Sequence, residues 1–285
     1  MSAVHIRRVG RVTTVRAEIR KLAAFLRRDL LVALSYRMSF VSDWIAMVVQ
    51  VVVFNFVGRI VRPDAIPSFG GSRATYMEFV AVGIAVSSFM AIGLGRVNTA
   101  IRQEQVQGTL ESLLLTPTAL TTIQLGSVVY DIVYVPIRTS IFLVLTSLVF
   151  GTSYHWSGLP LVMVVLLPFI PFVWGLGVLA AAWTLTFKRG TGVIGLLATA
   201  LALGSGTYFP TDVLPGWAES IFRYSPVTIA LDACRRALLG GAGFVDILGD
   251  VLRLIPFAAV TLTAGVIAFR MALDRERRRG SLGLY

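Results

Sequence analysis

The sequence predicts an all-α integral membrane protein, and three observations lead there. Hydrophobic residues make up 56% of the 285 residues and charged residues 14%, against about 45–50% and about 25% in soluble domains. A soluble body of this size could not hide so much apolar surface, and a disordered chain would be poor in it. Apolar stretches near the roughly 20 residues that cross a hydrocarbon core of about 30 Å recur six times along the chain. The 26 Lys and Arg residues outnumber 15 Asp and Glu for a net charge of +11, and half of them lie before the first apolar stretch or after the last, a bias of the kind that sets orientation in a bilayer.

Taken in order, residues 1–38 read as a basic amphipathic segment. Val15, Ile19, Leu22, Leu26 and Leu30 recur at spacings of 4, 3, 4 and 4, one helical face. Arg16, Arg20, Lys21, Arg27 and Arg28 fall on the other side. The expectation is a helix lying along the inner leaflet. No apolar core precedes residue 30, so a cleavable leader is not expected. A six-span domain over 39–272 follows, with spans near 40–60, 76–100, 123–150, 159–187, 192–209 and 252–271. The third and fourth exceed one crossing and are expected to tilt, kink or extend into water. Residues 273–285 form a basic tail with Arg275, Arg277, Arg278 and Arg279. Lys188 and Arg189 sit between spans four and five, whereas the 151–158 loop carries no Lys or Arg. Both termini are therefore expected in the cytoplasm. All the basic residues but Lys21 and Lys188 are arginine, which resembles the coding bias of a GC-rich bacterial genome and carries no chemistry; the expected location is a bacterial cytoplasmic membrane.

The stretch from Ile101 to Pro117 is too polar at its start for lipid and lies on the cytoplasmic side of this topology. Thr109 reads as a helix N-cap, with Glu111 favoured in the first turn. Leu110, Leu113 and Leu114 make an apolar stripe, Gly108 lets the chain turn in, and Pro117 stops the helix. A second distinctive stretch follows span five. Pro210, Pro215 and Pro226 forbid one continuous helix there, and Gly204-Ser205-Gly206 loosens the end of the span. Non-helical backbone at membrane depth needs protein or a water-filled cavity around it.

Two sets of residues carry a resemblance. Glu104-x-x-x-Gly108-Thr109-Leu110-Glu111-x-Leu113-Leu114-x-Thr116-Pro117 resembles the cytoplasmic loop of ABC-2 type transporter permeases. Tyr208-Phe209-Pro210, Leu214-Pro215-x-Trp217, Ser225-Pro226-Val227-Thr228, Asp232 and Arg235-Arg236-x-Leu238-Leu239-x-Gly241 are similar to that family's segment between spans five and six. The resemblance implies that the first stretch is a coupling helix docking into a cleft of a separate ATPase. It implies that the second forms re-entrant helices at the outer leaflet, with Phe209, Pro210, Pro215, Trp217 and Pro226 in an outer gate. It also implies an assembly of two ATPases and two permeases, the second permease identical or homologous, in contact with membrane lipids. ATP and Mg would belong to the partner.

The residues agree with a chain that holds no cofactor of its own. A phosphate-binding loop needs Gly-x-x-x-x-Gly-Lys-Ser/Thr, and both lysines fail it, in Ile-Arg-Lys21-Leu and Phe-Lys188-Arg-Gly. The single cysteine, Cys234, builds neither a disulfide nor a zinc cluster, and His5 and His155 stand apart. There is no Gly-x-Ser-x-Gly or His-Glu-x-x-His motif, so an intramembrane enzyme lacks its machinery, and no nucleic-acid partner is expected. No internal repeat suggests a secondary transporter. Charges inside a span cost roughly 2.5–3.5 kcal/mol each on insertion scales, which singles out Asp131 and Arg138, seven residues apart on one face of span three: a structural ion pair, with Asp131 able to snorkel to the cytoplasmic interface, or an intramembrane polar pair facing the dimer interface or the substrate path.

Overall fold

The computed structural model describes residues 15–35, 37–62, 66–106, 126, 129–187 and 191–279. The elements there are α1 (Val15–Ser35), α2 (Arg37–Gly58), β1 (Ser68–Phe69), β2 (Ser72–Arg73), α3 (Tyr76–Val106), α4 (Val129–Phe150), α5 (Leu159–Phe187), α6 (Thr191–Gly204), α7 (Gly216–Phe222), α8 (Pro226–Leu238) and α9 (Phe244–Arg279). Short 3-10 turns sit at Trp156–Gly158 and Thr211–Val213. The two strands form only a tight antiparallel hairpin, turned by Gly70 and Gly71 at positive φ.

The axis of the bundle is α3. Of its apolar stretch Tyr76–Gly95, 72% is buried, against 22% for α4 and for α9. Phe79, Val80, Ala81 and Val82 are consecutive and all buried, so protein surrounds this helix on every side. Lipid offers helices no hydrophobic incentive to associate, so close packing through small residues has to supply it. The most extensive helix pairing, α5 with α9, does so. A Cβ on Gly175 would meet the Thr261 carbonyl carbon at 2.5 Å, and one on Gly265 the Gly175 carbonyl oxygen at 2.7 Å. Thr261 Oγ1 adds a bond to the Phe172 carbonyl at 3.2 Å. Gly93 admits the Val173 side chain in the same way between α3 and α5. Large apolar side chains remain exposed on the outside, Ile137, Ile141, Val144 and Leu148 along one stripe of α4 among them, as expected where lipid is the solvent.

Four helical stretches are long and apolar enough to cross a membrane: Tyr76–Gly95, Val129–Phe150, Trp156–Phe187 and Phe244–Arg275. The first and fifth expected spans correspond to shorter apolar stretches, Trp44–Gly58 and Gly192–Gly204. Three boundaries differ from expectation. The fifth span, expected to reach residue 209, stops at Gly204, because Gly206 takes φ of +84° and turns the chain away. The sixth, expected from residue 252, begins at Phe244, where the Asp246 carboxylate accepts the Gly243 N–H at 2.9 Å and caps the start. That helix then runs on through Arg279, so residues 273–279 continue it rather than starting a separate tail. At 36 residues it is about 54 Å long at 1.5 Å per residue, well beyond one crossing. Helix α3 likewise continues through the polar residues to Val106. The basic amphipathic segment is helical as α1, which packs against α4 and α2.

Candidate functional site

The polar interactions concentrate at one end of the bundle, where the β hairpin, the start of α3, the 151–158 loop and the segment between α6 and α9 meet. Each proline of that segment opens a new piece. Pro210 is buried ahead of the 3-10 turn, and Pro215, at φ −55° and ψ 141°, precedes α7. Pro226 occupies the first turn of α8 behind Ser225, whose Oγ accepts the Val227 N–H at 3.3 Å, the arrangement in which a missing N–H costs nothing. Thr228 Oγ1 donates to the Phe222 carbonyl at 2.7 Å and ties α8 back to α7. Phe209 is half-buried and Trp217 is 71% exposed.

Helix α8 carries Val227, Leu231, Cys234, Arg235 and Leu238 on its buried face, so an arginine sits in an otherwise apolar stripe. Arg235 is 2% exposed. Its Nη2 donates to the Gly206 carbonyl at 2.8 Å and reaches those of Phe79 at 3.2 Å and Thr207 at 3.3 Å. Its Nε also points to the Phe79 carbonyl at 3.3 Å, and the guanidinium lies 3.5 Å from the Phe79 ring centre. One side chain thus joins α8, the second turn of α3 and the turn that ends α6. Ser87 and Thr207 share a hydroxyl hydrogen bond of 2.8 Å about two turns further along α3. Gly83 makes the approach possible: a Cβ there would overlap the Thr207 carbonyl oxygen. Tyr208 stacks on Phe54 of α2 at 5.2 Å between ring centres.

A second knot holds the same end. In Thr75-x-x-Glu78, Glu78 Oε2 accepts the Thr75 N–H at 2.8 Å and Thr75 Oγ1 accepts the Glu78 N–H at 3.3 Å, a reciprocal cap at the start of α3. The other oxygen, Oε1, accepts the Ser153 N–H at 2.7 Å and so captures the 151–155 loop. Tyr154 beside it bonds Thr146 Oγ1 at 3.0 Å, and burial pushes its phenol above the ordinary pKa. The His155 N–H donates to the Leu238 carbonyl at 2.7 Å. Arg236 forms an ion pair with Asp250, which also faces Arg253 at 3.7 Å, fastening α8 to α9.

The remaining sequence-predicted residues fall elsewhere. Asp131 and Arg138 do share the inward face of α4: Asp131 is buried and Arg138 half-buried, while Ile132, Val133 and Ile137 point outward. Asp131 lines a cavity of about 40 Å³ with Phe89, Gly93, Val135, Val173 and Trp174, space for a water molecule or two. Glu104 lies in the last turns of α3. Gly108, Thr109, Leu110, Glu111, Leu113, Leu114 and Pro117 belong to 107–125, outside the described residues. The Arg235 and Glu78 knots are additions to the predicted site residues: Arg235 stood in the second motif without a role of its own, and its position on the apolar stripe of α8 was the further signal. Among the described residues no group of three or more His, Cys, Asp or Glu side chains could hold a metal ion.

Comparison with known proteins gives two findings. The family model described as ABC-2 type transporter matches residues 20–239. The linearmycin resistance permease protein LnrN of Bacillus subtilis (strain 168) is 29% identical over 200 residues, which cover 70% of this chain and 51% of that protein. The chain therefore spans about half the length of the curated relative it matches.

Proposed function

We propose, for a chain that belongs to the ABC-2 type transporter family, the role of membrane-spanning permease in an ATP-driven exporter. Two such permeases, identical or homologous, enclose a pathway between them, and a separate ATPase present in two copies binds ATP and Mg and drives them. The observation that carries this reading is the family match over 20–239, which contains both distinctive stretches. Glu104, Gly108, Thr109, Leu110, Glu111, Leu113, Leu114 and Pro117 form the coupling segment that meets the ATPase. Phe209, Pro210, Pro215, Trp217 and Pro226 belong to the outer gate, and the prolines that open new pieces of chain between α6 and α8 support it. With the Arg-rich segments inside, both termini lie in the cytoplasm of a bacterial cell and the chain spans its cytoplasmic membrane.

The cargo is amphiphilic: a drug, a lipid or a lipid-linked polysaccharide. The printed name of the relative, a resistance permease, favours the first. Asp131 and Arg138 give the inward face of α4 a polar spot within an apolar wall. The test is purification of the tagged chain from its native membranes. An ABC ATPase co-purifies, and vesicles holding the complex hydrolyse ATP and move a fluorescent amphiphile. ATP hydrolysis by the chain alone, or transport that ignores ATP, would overturn the assignment.

A further inference from the structure

We propose that Arg235 is a positioning residue for transport, a latch that fastens the outer end of α6 to α3 and releases when the pathway opens. The proposal rests on the exporter reading for its place in a cycle, but the latch itself is argued from geometry.

The argument starts with how lightly α6 is held. Val193, Leu196, Leu197 and Leu203 are exposed, and of the helix's described side chains only Ile194 and Gly204 are buried. Its firm attachment is the turn at its end, and the fastening of that turn to α3 is polar. Arg235 donates to Gly206 and Thr207 on one side and Phe79 on the other, and Ser87 bonds Thr207. The α3–α5 contact, by contrast, interlocks the Val173 side chain with Gly93, and such a surface cannot part without leaving a void. A polar seam differs, because water can replace each bond as it breaks.

The charge gives the seam two discrete states. No carboxylate lies within hydrogen-bond distance of the Arg235 guanidinium among the described residues; the nearest, Asp232 at 3.9 Å, is half in solvent. A buried cation without a buried counter-ion is tolerable only while carbonyl dipoles surround it. Separating the turn from α3 removes those dipoles, so water must enter with the separation. Partial opening is the costly arrangement. The closed and the hydrated open seam are the two favourable ones.

The chain supplies its own reporter. Cys234 is the single cysteine, adjoins Arg235 and is 1% exposed. The experiment uses the permease with its co-purified ATPase in lipid nanodiscs, where both faces are reachable, and reads maleimide modification of Cys234 by mass spectrometry. In the wild type, modification is slow and quickens with ATP and vanadate. Arg235→Lys keeps the charge but spans only one side of the seam, and Arg235→Gln loses the charge; in both, modification without nucleotide quickens roughly tenfold, as expected for the loss of one or two bonds from a charged donor. Ser87→Ala gives a smaller rise. Val227→Ala, on the same helix and fully buried away from the seam, serves as control: it lowers Tm as much or more without that rise. Wild-type rates in both Arg235 variants, or an equal rise in Val227→Ala, would overturn the latch. If instead the wild type neither responds to nucleotide nor exports, the exporter reading fails while the variant contrast without nucleotide still decides the latch.

Discussion

A glycine at position 83 decides whether the Arg235 seam can form. The Thr207 carbonyl oxygen occupies the space a Cβ would need, and Arg235 Nη2 lies 3.1 Å from the same point. Gly83→Ala is therefore expected to lower stability by about 1–3 kcal/mol, as overpacking does. Gly95→Ala on the same helix meets nothing within 4 Å and is expected to gain about 0.5–1 kcal/mol from helix propensity. Thermal unfolding of the two purified variants checks the contrast; equal Tm values would show that the turn moves aside freely. Glu78 makes a second residue-scale case. Its carboxylate satisfies backbone N–H groups of Thr75 and Ser153, so Glu78→Ala leaves two donors to find water and is expected to cost about 1–3 kcal/mol. Glu78→Gln keeps one acceptor oxygen and costs less, and the same melting measurement orders the three proteins. Arg235 itself was hard to read in the sequence for a physical reason. Its partners are backbone carbonyls of residues 79, 206 and 207, and a carbonyl carries no side-chain identity. The motif named Arg235 without a role, and the placing of a charged residue among Val227, Leu231, Cys234 and Leu238 was the pointer to one.

At the scale of elements, the α5–α9 pair shows what replaces a hydrophobic core in lipid. The two helices approach until the backbone of Thr261 and Leu262 lies 2.5–2.8 Å from where a Gly175 Cβ would stand. Backbone cannot rotate away as a side chain can, so Gly175→Leu is expected to force the helices apart at a cost of at least about 3 kcal/mol. The readout is a loss of monodisperse protein after solubilisation. Gly192→Leu, at an open position of α6, leaves the elution profile unchanged. Helix positions along α3, α4 and α5 were legible because each is a long apolar run, and a lipid-spanning helix must be one. The ends were less legible. The span expected to 209 stops at Gly204 because Gly206 needs positive φ, and composition does not state φ. The span expected from 252 begins eight residues earlier because Asp246 caps it across Gly243, a local bond that hydropathy ignores. The prolines at 210, 215 and 226 were readable as breaks, since the ring constrains the backbone in any surroundings.

For the whole molecule, the asymmetry of the two ends argues for where force enters. One end is tied by the Glu78 cap, the Arg236–Asp250 pair and the Arg235 seam. From the other, α3 and α9 run on past the apolar stretches to Val106 and Arg279. A rigid helix such as α3 transmits a push along its axis, and the Arg235 seam grips its opposite end at Phe79. Glu104 lies in the last turns of α3 and the proposed coupling segment continues the chain to Pro117, so a partner that gripped it would act on the axis of the bundle. The sharpest test lies there. On the proposed coupling role, Glu111→Lys reverses a charge meant for the ATPase, and Gly108→Val replaces the glycine expected from the sequence to let the chain turn. Both positions lie outside the apolar stretches expected to cross the membrane, so both variants are expected to insert and fold with wild-type Tm. Both should reduce the ATPase recovered with the tagged chain, or leave hydrolysis running while transported amphiphile per ATP falls. Glu111→Asp and Glu111→Gln separate this role from a local one. If Glu111 only favours the start of a helix, reversing its charge costs about 0.3–1 kcal/mol and no transport. Undiminished ATPase recovery and undiminished transport per ATP in both Glu111→Lys and Gly108→Val would remove the coupling assignment and leave the bundle without a point at which ATP hydrolysis acts.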